Sequence, residues 1–284
     1  MFRMRNKIKD TCMSFRFNRF SIKTLLLIVI ASVCIATGGM YSFADDSGET
    51  AAVQTQNDEP GKEVSKKGIQ IVDGNYPLLV DIQDIGVSYG FLNFFYNELV
   101  SSEPTGYSYT YKGQTYYYNA DKVALYDNTI SSLTNAGISI VAAVVNGYNK
   151  DFPQLRYPGV DFNDGTQYYA FNAVTEEGIN LIESCTYFLA ERYNGGDKGK
   201  VVDWVIGNEV NDNLQYNYLK PREGSSYVAE YYKQFKMFYN VIKEINPDAE
   251  VYIPLEHRWQ TANTMTDYGA RWFLEEFNRN EKKD

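Results

Sequence analysis

The feature that most constrains the fold is an alternation of short apolar runs with amphipathic segments. Residues 138–145 form a nearly unbroken apolar run of strand length, which predicts a strand covered on both faces and therefore a parallel sheet. Weaker or similar runs at 68–72, 86–94, 201–206 and 250–255 predict four more strands. Strands that alternate with helices form right-handed βαβ units, so the sequence predicts an α/β fold.

Capping residues indicate where the intervening helices begin. Asn119, Thr175 and either Ser225 or Ser226 precede apolar residues at helical spacing. A hairpin is predicted over 107–118, with tyrosines as cross-strand partners. Because a (β/α)8 barrel needs eight strands and five are found, we predict a (β/α)8 TIM-barrel type with only about the first five β/α units present.

The N-terminus predicts export. Residues 1–44 combine a basic segment, an apolar segment (25–37) and the small-x-small site Ser42-Phe43-Ala44, as in a signal peptide. The apolar segment is shorter than the roughly 20 residues of a membrane span, although an uncleaved anchor stays an alternative. Polar residues 45–66 are predicted to be a disordered linker, and 67–284 the globular domain. We therefore expect a secreted or extracellular protein, with cell-surface association as a variant.

Charge restricts the choice of partner. Without residues 1–44 the chain keeps 20 basic and 35 acidic side chains, a net charge of about −15. Such a surface disfavours nucleic acid, anionic lipid and acidic polysaccharide, so a neutral substrate is expected. The family resemblance given below makes that partner a neutral oligo- or polysaccharide. No zinc spacing, phosphate loop or dinucleotide motif occurs, and no metal or cofactor is expected. Cys185, the one cysteine after residue 44, is predicted to be a buried structural thiol.

The candidate site residues stand at the ends of predicted strands. The run Trp204–Asn211 begins as an apolar strand and stops on Asn208-Glu209, which places an amide and a carboxyl at the rim of the sheet, while Trp204 itself is predicted to be core. The other candidate substrate-binding residues are Asn93, Asn146, His257 and Trp259. For each an ordinary structural role is the alternative, such as a cap for Glu209 or packing under a loop for Trp259.

Several segments carry a resemblance to a known family. From about residue 77 to 284 the sequence resembles an uncharacterised family of secreted bacterial proteins, a domain of unknown function that is similar to clan A glycoside hydrolases. The run from Lys200 to Asn211 is the most specific of these segments. The others are Asp84-Ile85-Gly86-Val87, Tyr169-Ala170-Phe171-Asn172, Phe188-Leu189-Ala190-Glu191-Arg192-Tyr193 and Val251 to Trp259.

The resemblance implies a chemistry. Retaining glycosidases use two carboxyl groups about 5–5.5 Å apart, and the resemblance makes Glu209 the acid/base and Asn208 a partner of the substrate 2-hydroxyl. In clan A the nucleophilic glutamate stands on strand seven, which this sequence does not contain. We therefore expect a fragment or a short non-catalytic relative, inactive as given. The alternatives to a glycosidase are a carbohydrate-binding barrel without activity and a cell-surface scaffold.

Overall fold

The computed structural model describes residues 65–72, 79–220, 223–261 and 268–283. The described part contains eight strands: β1 (Gly68–Gln70), β2 (Tyr89–Phe95), β3 (Val100–Ser101), β4 (Ser108–Tyr111), β5 (Gln114–Tyr118), β6 (Ser139–Val145), β7 (Val201–Ile206) and β8 (Glu250–Tyr252). Its α-helices are α1 (Leu79–Asp84), α2 (Tyr96–Leu99), α3 (Ala120–Asn135), α4 (Glu176–Arg192), α5 (Gly224–Ile245) and α6 (Ala270–Glu281). None of these helices is both long and apolar enough to cross a membrane.

Five strands form one parallel sheet in the order β1-β2-β6-β7-β8. Each strand of this sheet lies beside the sheet strand that precedes it in the chain, and at least one helix connects each pair of neighbours. A doubly wound sheet reverses its strand order at a switch point, whereas a β/α barrel adds strands in one direction. The strand order therefore confirms the predicted fold class, an α/β fold of (β/α)8 type represented by five β/α units.

One face of the sheet packs against the helices and forms the main core. Leu92, Ala142, Trp204 and Val251 occupy one row of the register on this face. The ring of Phe94 contacts Tyr126 of α3 at 4.9 Å, Tyr193 at 5.6 Å and Trp204 at 5.5 Å. Trp204 is fully enclosed, which confirms the prediction that it belongs to the core.

Because side chains alternate along a strand, the neighbouring residues point to the opposite, inner face. Asn93, Ala143, Val205 and Tyr252 form one row there. In a β/α barrel this face lines the interior and leads up to the C-terminal ends of the strands. The inner face is therefore the floor beneath the candidate site.

The hairpin is confirmed as the antiparallel pair β4–β5, and β3 adds a short third strand. Its tyrosines do more than pair across the strands. The Tyr109 and Tyr111 rings lie 6.2 and 5.3 Å from the Tyr187 ring of α4, and the Tyr109 hydroxyl donates to Glu191 at 2.7 Å. The hairpin is thus fastened to helix α4.

Two helix caps are confirmed and one is wrong. The Asn119 side chain accepts hydrogen bonds at the start of α3, and Thr175 does so at the start of α4. Helix α5, however, begins after Glu223, whose carboxylate accepts the backbone N–H groups of Ser225 and Ser226, both at 3.0 Å. The serines are therefore inside the first turn rather than the cap. Glutamate is not among the preferred capping residues, so the local pattern favoured the serines.

Cys185 is completely buried in α4 and has no disulfide partner among the described residues. Burial raises the pKa of its thiol well above the ordinary value. A thiol that resists ionisation is a poor nucleophile, which agrees with the predicted structural role. The predicted signal peptide (1–44) and nearly all of the predicted linker (45–66) lie outside the described residues, and both stay predictions.

Candidate active site

The predicted site residues lie at or just below one edge of the sheet. Glu209 follows β7, His257 follows β8, Asn146 follows β6 and Asn93 is in the last half of β2. Because the five strands run parallel, their C-terminal ends meet at a single edge, which is where β/α folds bind ligands. The sequence therefore placed these residues correctly with respect to the fold, while their part in binding stays a prediction.

The backbone leaves β7 through two unusual conformations. Gly207 has φ +93°, and a Cβ atom there would lie 2.6 Å from Cγ1 of Val210. Glu209 also has a positive φ, +41°, which is uncommon for a residue other than glycine, asparagine or aspartate. Strained backbone of this kind is concentrated at functional sites, where the surrounding structure holds it in place.

Hydrogen bonds from α5 fix the backbone on both sides of Glu209. The Tyr231 hydroxyl donates to the Ile206 carbonyl at 2.7 Å, and the Tyr227 hydroxyl donates to the Val210 carbonyl at 2.6 Å. Both tyrosines are fully buried, so these bonds are shielded from water. They hold the Glu209 backbone in its strained conformation.

The environment of Glu209 favours the protonated carboxyl. Burial, followed by the negative charges of Glu256 and Asp212, raises the pKa of Glu209 from its ordinary 4.5 to about 7. Among the described residues no hydrogen bond reaches this carboxyl. This argues against the alternative that Glu209 only caps the following turn. A carboxylic acid that keeps its proton near neutral pH is suited to general acid catalysis.

Glu256, an acidic residue in the segment after β8 whose charge raises the pKa of Glu209, is buried with 6% of its surface exposed. Its carboxylate accepts the backbone N–H of Arg258 at 2.8 Å. The same carboxylate lies 2.9 Å from Nδ1 of His257 and 3.5 Å from Nε of Arg258. Two cationic or potentially cationic side chains therefore compensate a buried negative charge.

The remaining predicted residues differ in accessibility. The His257 side chain is 57% exposed to solvent, and Trp259 as a whole residue is 52% exposed. Asn208 and Asn93 are half-buried. Asn146 is only 1% exposed, and its amide donates to the Leu155 carbonyl at 3.2 Å while Oδ1 has no partner. Asn146 thus lies beneath the loop that follows β6 rather than open at the mouth.

Sequence reasoning missed an aromatic row beside Glu209. The ring of Tyr168 lies 6.5 Å from Phe95 and 6.3 Å from Tyr216. Burial, followed by the charge of Glu209, raises the pKa of Tyr216. The loops after β6 and β7 pair to build it, through Gln167 N–H to the Gln215 carbonyl at 2.8 Å among other bonds. No local pattern marks such a pairing of two irregular loops.

Within the residues that the structure describes, no group of three or more His, Cys, Asp or Glu side chains is arranged to hold a metal ion. The candidate side chains at this edge are carboxyl, amide, imidazole and aromatic groups. Fold and site together define a protein of β/α-barrel type with a partly buried carboxyl of raised pKa at the C-terminal edge of its fourth sheet strand.

The chain belongs to a family that has been defined by sequence. Residues 59–284 match the model of a family of unknown function, DUF5722. No curated protein matches the chain significantly.

Several solved structures are similar to the chain. A glucosidase from Croceicoccus marinus is 12% identical with a TM-score of 0.46, and the match covers 75% of this chain and 41% of that one. A family 1 β-glucosidase from Thermotoga maritima is 14% identical with a TM-score of 0.42, over 69% and 40% of the two chains. A β-xylosidase from Caulobacter crescentus is 16% identical with a TM-score of 0.42, over 76% and 39%. The chain spans about two fifths of the length of these proteins.

Proposed function

We propose that the protein is a retaining glycoside hydrolase that acts on a neutral glycan, with Glu209 as the general acid/base. One observation carries this proposal: a partly buried carboxyl at the C-terminal edge of the parallel sheet has a pKa raised to about 7 and no hydrogen-bond partner among the described residues. Such a group can donate a proton to a leaving oxygen and later accept one from water.

The proposed mechanism gives each nearby group a task. Glu209 protonates the glycosidic oxygen as the bond to the anomeric carbon breaks, and its carboxylate then removes a proton from the attacking water. Asn208, the residue before it, would hydrogen-bond the substrate 2-hydroxyl, a contact that strengthens in the transition state. The mechanism also requires a nucleophilic carboxylate about 5–5.5 Å from Glu209, and we assign that role to no described residue.

The substrate and location follow from charge and aromatic surface. An excess of acidic side chains favours a neutral glycan over an acidic one. Tyr216 near Glu209 and the half-exposed Trp259 offer the apolar ring faces on which sugars stack. The basic and apolar segments within residues 1–44 support export, so we propose that the protein acts outside the cell.

The test compares aryl glycosides that differ only in the leaving group. Glu209→Gln should lose nearly all turnover of substrates with a poor leaving group, because they need a proton, and retain more turnover of an activated dinitrophenyl glycoside. Glu250→Gln, which removes an exposed charge at the opposite end of β8, is the control and should behave as wild type. Equal losses of turnover on the two types of substrate would show that Glu209 is not the general acid.

The assay should use both the 284-residue chain and the protein from the cells that produce it, after its intact mass is measured. If the protein from the producing cells is active and the 284-residue chain is not, the nucleophile lies in residues that the 284-residue chain lacks. Activity of neither, together with binding of a neutral glycan, would favour the second candidate, a carbohydrate-binding protein without turnover. The exposed Trp259 at the C-terminal edge is the observation that supports this second candidate.

A further inference from the structure

The loops that follow β7 and β8 are joined directly next to Glu209. The backbone N–H of Val210 donates to the Pro254 carbonyl at 3.0 Å, and the backbone N–H of Glu256 donates to Oδ1 of Asn211 at 2.8 Å. The residues on the C-terminal side of Glu209 therefore lie against the segment that ends in Glu256. These two bonds join the backbone beside Glu209 to the segment that carries Glu256.

A second set of contacts fixes the orientation of the Glu256 carboxylate. One oxygen accepts the Arg258 backbone N–H and the other faces His257 at 2.9 Å. Asn211, which holds the Glu256 backbone, is itself held because its amide donates to the Tyr268 carbonyl at 2.8 Å. A buried carboxylate with these partners is held in one orientation, unlike a solvated surface group.

The groups that face Glu209 can be named from each side. Glu256 faces it from the loop after β8, and Asp212 and Tyr216 face it from its own loop. The Asp212 carboxylate is engaged by the backbone N–H groups of Leu214 and Gln215, both at 3.0 Å. The cations nearest to Glu256 are Arg258 and, when protonated, His257.

We propose that Glu256 is a positioning residue of the site, a buried and oriented carboxylate whose negative charge keeps the proton on Glu209. His257 and Arg258 are the counter-charges that limit this effect, so the three side chains together set the pH range in which Glu209 acts as an acid. The catalytic importance of Glu256 rests on the proposed acid/base role of Glu209. The effect of the Glu256 charge on the pKa of Glu209 can be measured without any turnover.

The test is a carboxyl-carbon NMR titration of the labelled full chain, with the Glu209 signal identified by its loss in Glu209→Gln. In Glu256→Gln the pKa of Glu209 should fall from about 7 toward 4.5, without reaching it because burial is the largest cause of the shift. In Arg258→Gln the same pKa should rise, because a compensating positive charge is gone. Glu250→Gln is the matched control and should leave Glu209 unchanged.

Opposite shifts in the two variants would separate a charge effect from a structural one, since a disturbed loop has no reason to move the pKa in both directions. An unchanged Glu209 pKa in a folded Glu256→Gln would overturn the proposal and leave Glu256 as a loop anchor. If Glu256→Gln fails to fold, Arg258→Gln alone tests the proposal. A Glu209 pKa that stays constant or falls in Arg258→Gln would contradict it. Absence of glycosidase activity in wild type would count against the proposed function and not against this electrostatic role.

Discussion

At the scale of single residues, Glu209 combines two features that disfavour the folded state. Its φ of +41° lies in the left-handed region, and its carboxyl is partly buried beside two other acidic groups. Each is destabilising on its own, and buried tyrosines of α5 hold the backbone in spite of both. A residue that is kept at a cost in stability is a reasonable candidate for function.

Glu209→Gln should change the pH dependence of stability. Below pH 4.5 the carboxyl is protonated in the folded and the unfolded state. Between pH 4.5 and about 7 the unfolded chain releases this proton while the folded chain keeps it, so wild type loses stability as the pH rises. After discounting for solvent screening the loss is about 1 to 2 kcal/mol, and Glu209→Gln should not show it. Urea unfolding at pH 4 and pH 8 measures the difference; parallel curves for both proteins would contradict a raised pKa.

Gly207→Ala should destabilise the protein more than another glycine replacement with a similar φ. Gly207 and Gly113 have φ values of +93° and +81°, but only at Gly207 does a new Cβ meet a neighbour, Val210 at 2.6 Å. We expect a loss of about 1 kcal/mol for Gly113→Ala and about 2 to 3 kcal/mol for Gly207→Ala. Equal changes in thermal midpoint would mean that the turn after β7 accommodates the methyl group freely.

At the scale of elements, local patterns predicted what depends on local physics. Asn119 and Thr175 cap their helices as expected, and the strands pair in the expected order. What the sequence left undetermined depends on contacts between distant segments. The approach of Glu256 to Glu209 requires the two loops to be joined by Asn211, and the aromatic row of Tyr216 requires two irregular loops to pair. Neither arrangement has a period or a capping signature.

An ion pair between α3 and α4 should contribute more than a surface pair. Nε of Arg192 donates to Oδ1 of Asp127 at 2.6 Å, Tyr193 and Lys198 lie on the same carboxylate, and the side chains of Asp127 and Arg192 are largely buried. Burial opposes ionisation of Asp127, but Arg192 prevails and lowers the pKa of this carboxyl. Asp127→Asn should therefore cost about 2 to 3 kcal/mol by urea unfolding at neutral pH.

The matched control is Arg271→Ala, which breaks an exposed pair with Glu275 within α6. It should cost no more than about 0.5 kcal/mol. Similar losses in the two variants would show that the bond between α3 and α4 is no stronger than a solvated pair. The contribution of Asp127 should also disappear as the pH falls through its lowered pKa, because the protonated carboxyl no longer attracts Arg192.

At the scale of the whole molecule, the sheet has two edges. Strands β1 and β8 each pair with one other strand within the described part of the chain. Edges that pair with no further strand among the described residues, and a half-buried inner face, favour association. We expect the 284-residue chain to associate with itself as its concentration rises, which sedimentation velocity would detect. A strictly monomeric chain with a single cooperative thermal transition would contradict this expectation.

The measurement that tests the central claim most directly is azide rescue of Glu209→Ala, with the anomeric configuration of the product determined by NMR. Removal of the acid/base leaves space for a small anion to attack the glycosyl-enzyme in place of activated water. Glu209 as the acid/base predicts restored turnover of an activated aryl glycoside and a glycosyl azide with the configuration of the substrate. A glycosyl azide of inverted configuration would make Glu209 the nucleophile. If wild type turns the substrate over and azide does not rescue Glu209→Ala, Glu209 takes no part in the chemistry.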